Sequence, residues 1–510
     1  MKGLYINIPS AEEKVSTFAD TLRAPIHIEQ VRTPSGQHIL VDNHIENWPQ
    51  GAIHNDQNSG SVIAASGYLV YKNELGNLQQ FLTDFVTAEN QAKRLSVCDQ
   101  IQAGSFVIYI ETPNNHYLIT DPFGLNPHYQ DKQSASLVVA PVPTVVAPDR
   151  ETDTALGRII EKNRHLFGNL TGIVDVERLE PGALIHNAGL DFYFNYFSDA
   201  DTLQNTCQLM EKGLSYFSER KKILPLSGGL DSRYLLSVAK MDYGYTYGPE
   251  QTGDRPIART FSKLFEEYRE FSLLDFSYPK PVKEAGDGIF EGTVGRPLSE
   301  LLVLYQDCCN RWGQGCVFVD GYMGDTLQRG IYFNITGAKG VLFRILPGLM
   351  FRFSSPEQLL LARYEKLDSS ERELLLKNFR SCTARFQCDE WKKLLLFEVL
   401  YGRGARFIVH GGSVMANQYF TALQPFVFYS VFRSFMQANV RQFANFSLMK
   451  PIWRSAPSNL RKTRTLDVYR PSWPWRLNRF IHVASRITEK LFLGNKIKSY
   501  KEELSQIKWT

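Results

Sequence analysis

Lys222-Ile-Leu-Pro-Leu-Ser-Gly-Gly-Leu-Asp-Ser-Arg-Tyr-Leu-Leu236 decides how this 510-residue chain is read. An apolar run of strand length enters a tight loop, and an apolar helical pattern leaves it. Gly228 and Gly229 remove side chains where an anion must approach the backbone and where positive φ is needed. The amides that follow, with the dipole of the helix they open, point at that anion. Ser227 and Ser232 add hydroxyl donors, so that Ser227, Gly228, Gly229, Leu230, Asp231 and Ser232 form one binding set. Asp231 repels bare phosphate, and its presence implies a bridging Mg²⁺. The lysine of a Walker loop is missing. A loop without it suits the β,γ-pyrophosphate of ATP as a leaving group, with attack at the α-phosphorus.

Outward from the loop, the chain changes character. Before residue 198, short apolar runs are separated by Gly, Pro, Asn and Asp turns: Ser61–Tyr71, Gly104–Glu111, His116–Thr120, Ser136–Val139, Ala183–His186 and Asp191–Tyr196. After it, helical periodicity at Leu203–Glu219 leads into the strand Lys222–Leu226. Tyr243–Tyr247 and Cys316–Asp320 read as further strands and Pro256–Leu264 as a helix, the alternation of a parallel α/β sheet. From Glu357 to Asn439 the pattern is helical, and an amphipathic stretch runs from Trp475 to Leu493. The expected fold class is α/β: a β-rich α+β sandwich over 1–198, then a parallel-sheet domain with a largely helical C-terminal part over 199–510.

Composition excludes several classes. With 43% hydrophobic and 22% charged residues and a formal net charge of +4, the chain is neither disordered nor a bulk polyanion binder, so no nucleic-acid partner is expected. Seven cysteines without paired CxxC spacing suit reduced thiols in a cytoplasm. MKGLYINIPSAEEK has no signal-peptide core, and the apolar run near Val341–Phe353 is broken by Arg344 and Arg352, so no integral membrane segment is expected. Lone His116 and His128 read as packing residues. Arg454, Arg461, Lys462, Arg464, Arg470, Arg476, Arg479, Arg486, Lys496 and Lys498 make the last sixty residues basic. That concentration is either a solvated face or a contact with an anionic substrate, membrane surface or partner.

Ser227-Gly-Gly-Leu-Asp-Ser232 resembles the SGGxDS signature of the asparagine synthetase family of ATP pyrophosphatases, whose layout β-lactam synthetases and lasso-peptide cyclases share. Three further segments match in order. Gly104-Ser-Phe-Val-Ile-Tyr-Ile and Leu118-Ile-Thr-Asp-Pro-Phe-Gly-Leu-Asn-Pro-His-Tyr129 resemble the family's class II glutamine amidotransferase pattern. His165–Leu184 resembles the passage into the synthetase. Asp320-Gly-Tyr-Met-Gly-Asp-Thr326 resembles its SGxGxDE loop. The resemblance implies that Asp231 and Asp325 hold Mg²⁺ on ATP, with Gly321 beside the nucleotide, while a small-molecule or peptide carboxylate is adenylated and ammonia or an amine displaces AMP. Asp254 either approaches adenosine or caps a helix.

The departures matter as much. No cysteine precedes Cys98, so the family's N-terminal thiol nucleophile is missing and the first domain is expected to be inactive. Thr326 replaces an acid, and Tyr322 stands where a glutamate handles incoming nitrogen. Leu423-Gln-Pro-Phe-Val-Phe428 lacks the Arg and Asp of RxPFxD. Lys462, with Lys450 in reserve, is the candidate for the family's late lysine over the adenylate, and each also reads as a surface lysine. Tyr322 and Lys462 are the catalytic candidates. The expected activity is an ATP-dependent carbon–nitrogen ligase; intramolecular closure of the β-lactam or lasso-peptide type and a non-catalytic nucleotide-binding relic are the alternatives. A homodimer is one option for its assembly.

Overall fold

The computed structural model of the chain describes residues 1–197, 203–250, 253–295, 298–492 and 502–510. The boundary expected at 198, Lys496, Lys498, Leu493 and the side chain of Arg486 lie outside the described residues. The architecture is mixed α/β: antiparallel sheets in the N-terminal part, a parallel sheet later, and a helical C-terminal region. Two compact units follow contact rather than chain order. The first joins Met1–Asn195 to Lys280–Gly315 and Val399–Ala422; the second joins Tyr196–Pro279, Cys316–Glu398 and Leu423–Thr510.

Two antiparallel sheets build the first unit. One has the order Val176–Arg178, Tyr129–Asp131, Val139–Ala140, Gly3–Ile6, His38–Asp42, Ile28–Arg32. The other runs Gly189–Phe192, Ala183–His186, His116–Thr120, Ile101–Glu111, Ser61–Tyr71, Ile53–Asp56. The sheets pack together where Gly3–Ile6 and His38–Asp42 meet Ser61–Tyr71. Ser61–Tyr71 is therefore covered on both faces and reads as a continuous apolar run rather than an alternation. At its centre Gly67 has φ +92°, and a Cβ there would lie 1.9 Å from the Ser105 carbonyl oxygen, so only glycine fits.

The segment Asp121-Pro-Phe-Gly-Leu-Asn126 is a turn held by its own aspartate. Asp121 Oδ1 accepts from the amides of Phe123 (2.9 Å) and Leu125 (3.0 Å), and Oδ2 from Asn126 (3.1 Å). Burial pushes the carboxyl up to about 6 against these bonds and the nearby Arg178. Arg178 closes the turn by donating to the Gly124 carbonyl at 3.0 Å and to that of Leu400 at 2.9 Å. His128, which follows, accepts from the Leu4 amide through Nε2 at 2.8 Å; burial lowers its pKa to about 4, so it is a neutral packing group.

The parallel strands of the second unit have the order Glu267–Phe271, Tyr243–Tyr247, Lys222–Pro225, Val317–Val319. Lys222–Pro225 is central, and the strands numbered after it depart to both sides. The loop at its carboxyl end therefore opens at a topological switch point, where α/β sheets leave a crevice.

Some elements differ from expectation. Ser136–Val139 contributes only the short pairing Val139–Ala140, and Leu203–Glu219 shortens to a 3₁₀ turn at Leu203–Asn205 and a helix at Thr206–Ser215. Helix Ala11–Leu22 and strands Gly3–Ile6, Ile28–Arg32 and His38–Asp42 had no assignment. Glu267–Phe271 was also missed, because its Glu-Tyr-Arg-Glu-Phe sequence is that of an edge strand whose charges pair locally (Arg269–Glu267 2.7 Å, Arg259–Glu270 2.6 Å).

Gly124→Ala tests the aspartate turn. Gly124 has φ +59°, and a Cβ there would sit 1.8 Å from Arg178 Nη2, which two carbonyls hold in place. The substitution should cost roughly 2–4 kcal/mol in urea unfolding. A loss within experimental error would show that the turn yields freely.

Candidate active site

Strand Lys222–Pro225 delivers the glycine loop, and helix Asp231–Val238 begins on its last acid. The loop is tied to itself. Ser232 Oγ accepts from the Ser227 amide at 3.1 Å and lies 3.3 Å from Ser227 Oγ, which accepts from the Gly229 amide at 3.2 Å. The Gly228 amide donates to Asp254 Oδ1 at 2.7 Å. Asp254 is the first residue of helix Asp254–Arg259, whose N-cap is Gly253. It is thus not the cap of that helix but a strap on the glycine loop. Neither glycine has the positive φ expected of it; Gly228 is hemmed in by Leu466 and Ile257, whereas Gly229 meets only Ser227 Oγ, so the two serve close packing and open approach respectively.

The second loop follows strand Val317–Val319 and turns into helix Gly324–Arg329. It lies directly on Asp231. A Cβ on Gly324 would come within 2.6 Å of Asp231 Cγ, and one on Gly321 within 3.2 Å of Asp231 Cβ. Asp231 Oδ1 accepts from Gln328 Nε2 at 3.0 Å, and Oδ2 from Arg329 Nη2 at 3.4 Å. Burial, reinforced by the like charges of Asp325 and Asp320 and opposed by Arg329, pushes the Asp231 carboxyl up to about 7. Arg329 is held charged by Tyr469, Asp231 and Asp325. Asp325 is half-buried and accepts from Thr326 Oγ1 at 3.3 Å. Tyr322 is buried on the same loop.

A third segment closes over both loops. Buried Arg233 donates to the carbonyls of Thr463 (2.7 Å), Arg464 (3.1 Å) and Gly228 (3.2 Å), with its guanidinium 5.2 Å from the centre of the Phe261 ring. The Leu466 amide donates to the Gly228 carbonyl at 3.3 Å. Lys462, exposed at the end of helix Ser458–Lys462, immediately precedes this docked stretch. Lys450 is exposed on Met449–Trp453. From that helix, Trp453 Nε1 donates to Gln328 Oε1 at 2.8 Å.

Ser227, Gly228, Gly229, Leu230, Asp231, Ser232, Gly321, Tyr322 and Asp325 thus lie on two adjoining loops of one unit. Arg233, Gln328, Arg329 and Asp254 take part without having been singled out as a set. Arg329 had a readable signal, a cation one turn beyond Asp325; Arg233 had none, because an arginine in a helix's first turns ordinarily faces water. Burial raises the thiol pKa values of Cys98 and Cys308, consistent with packing groups. Among the described residues, no group of three or more His, Cys, Asp or Glu could hold a metal ion, and no helix is long and apolar enough to cross a membrane.

The chain matches no protein-family model and no curated protein. Among solved structures it is similar to the allosteric regulatory enzyme of purine biosynthesis, at 11% identity over 51% of this chain and 75% of that one, with a TM-score of 0.21. It is also similar to glutamine phosphoribosylpyrophosphate amidotransferase from B. subtilis complexed with ADP and GMP, at 13% identity over 57% of this chain and 63% of that one, with a TM-score of 0.20. Scores of this size carry no argument about chemistry.

The carboxyl shift predicts a pH dependence of stability. Between 3.8 and about 7, folded Asp231 keeps a proton that the unfolded chain has released. Its stabilising contribution is therefore greatest at low pH and is lost as pH rises through about 7. Asp231→Asn should flatten the fall in melting temperature across that window in scanning fluorimetry. An identical slope in the variant would place the titration elsewhere.

Proposed function

We propose that the chain adenylates a carboxylate with ATP and transfers the acyl group to an amine. The observation that carries this reading is the meeting of Asp231 and the Asp325 loop at the switch point of a parallel sheet, with glycines on both sides of the contact.

The donor set fits Mg²⁺. Asp231 and Asp325 come from different loops, and their mutual repulsion is what a divalent cation relieves. Each Asp231 oxygen carries one hydrogen bond and retains a second acceptor direction. When bound, Mg²⁺ would neutralise charge on the departing pyrophosphate. Gly229 leaves the loop open to the β,γ-phosphates, with Ser227 and Ser232 as hydroxyl donors. Arg329 offers a fixed guanidinium for a phosphate oxygen in a loop that lacks the Walker lysine.

In the first step the substrate carboxylate oxygen attacks the α-phosphorus, the bond to the β-phosphate bridging oxygen breaks, and pyrophosphate leaves with that electron pair. In the second, the amine attacks the acyl carbon, AMP leaves and one proton is lost. Lys462, beside the docked 463–466 stretch, would offset charge on the α-phosphate. Tyr322 in place of an acid favours an amine other than the ammonia of asparagine formation.

One observation favours a second reading. The Ser227, Gly228 and Gly229 amides and both Asp231 oxygens are engaged by the protein's own groups, as a nucleotide-binding relic would be.

ATP–pyrophosphate exchange across a panel of carboxylates separates the two. Exchange should appear without any amine, and Asp231→Ala should reduce it at least about a hundredfold. Lys462→Ala should lower kcat with little change in the KM for ATP. Silence with every carboxylate would leave the relic, and full exchange in Asp231→Ala would remove that carboxylate from the mechanism.

A further inference from the structure

The second unit carries a surface that the site above does not use. Helices Gly337–Ile345 and Pro347–Phe353 follow one another, and the first packs on helix Trp475–Phe492. Arg479 of that third helix donates to the Ile345 carbonyl. Leu342, Ile345, Leu346 and Leu477 are exposed there, and Phe353 and Phe480 stand 61% and 67% in solvent. Scattered apolar side chains on a surface need no explanation, but a cluster on adjoining helices does.

Charge distinguishes this cluster from an ordinary sticky patch. Residues 337–353 contain Lys339, Arg344 and Arg352 and no acid; residues 470–486 contain four arginines and no acid. The cations lie along the apolar groups: Arg352 is 5.3 Å from the Phe353 ring centre, Lys339 is 5.3 Å from that of Phe343, and Arg476 is 5.2 Å from that of Trp475. Of the acids that flank these segments, Glu357 is paired with Arg380 at 2.8 Å and Asp467 with His482 at 3.0 Å.

We infer that this face docks onto the surface of an anionic lipid bilayer. Phenylalanine, leucine and isoleucine side chains suit the acyl boundary, tryptophan suits the headgroup level, and arginines reach outward to phosphates along their own apolar stems. A second copy of the chain is disfavoured by symmetry: an isologous dimer through this face would set cations against the same cations. An acidic protein would satisfy the charge but would also need a relief matching the helix junction, which a fluid headgroup layer does not. Insertion on one side of the bilayer needs no spanning helix.

The test floats the full-length protein with phosphatidylcholine vesicles made with and without phosphatidylglycerol. The protein should rise with the anionic vesicles alone and be released by raised salt. Phe353→Ser/Phe480→Ser should lower partitioning at least about tenfold. Arg352→Gln/Arg476→Gln should lower it about fivefold for each arginine removed. All four side chains are on the surface, so melting temperatures should match the parent, and a variant that does not match is replaced by Leu342→Ser/Leu477→Ser. Wild-type protein that stays below the anionic vesicles overturns the inference, as do variants that float equally well. A dimer in light scattering that the phenylalanine substitutions dissociate would instead assign the face to a second copy.

Discussion

The buried guanidinium of Arg233 is the constraint on which the site rests. Burial lowers its pKa to about 10, so it remains charged at neutral pH. A charge out of water persists only where hydrogen bonds replace its hydration. Here three backbone carbonyls do so, one in the glycine loop and two in the segment 463–464. Neither stretch is regular secondary structure at those points, and each leaves carbonyls that a strand or helix would have paired. Arg233 therefore does for two irregular segments what a ladder does for strands. With the segment fixed, Leu466 falls against Gly228, and the absence of a side chain at 228 becomes a packing requirement.

That brace explains how two acidic loops can lie so close. Bringing Asp231 against the Gly321–Gly324 turn puts its carboxyl near Asp325 and Asp320, an arrangement that would separate if either loop were free. Arg329 offsets part of the repulsion, and Tyr469 in turn accepts from Arg329 at 3.3 Å. The chain thus holds negative charge at the switch point of the sheet by stabilising its surroundings rather than by dispersing it.

The fold was legible where covalent pattern and burial coincide. Ser61–Tyr71, His116–Thr120, Ala183–His186 and Tyr243–Tyr247 have the bounds that their apolar runs suggest. Legibility failed where partners are distant in sequence. Glu267–Phe271 carries the polarity of a loop because its charges pair along an edge, and the first sixty residues hold short strands whose partners lie as far off as Val139. In the site, glycines, serines and aspartates announced the loops because a Cβ at Gly228, Gly321 or Gly324 would crowd the neighbouring segment. Arg233 and Gln328 were silent because each acts through backbone groups or an indole contributed by a remote segment, and Asp254 was visible without its bond to the Gly228 amide. The aspartate turn at 121–126 is a further instance: three amides and an arginine account for its Asp and Gly structurally.

Gln328 shows how a remote contact sets local chemistry. An indole N–H can only donate, so Trp453 obliges the Gln328 oxygen to face it and turns the amide nitrogen toward Asp231. Asp231 Oδ1 must then accept. With Arg329 donating to Oδ2, both oxygens are offered donors, which favours the ionised carboxylate, while burial and two neighbouring acids favour the protonated one. The balance falls near neutrality because burial, reinforced by the two acids, outweighs the donors. A positive ligand beside Asp325 would add to one side only, so the carboxylate would give up its proton on binding it, and the water-poor setting that raised its pKa would strengthen the new contact.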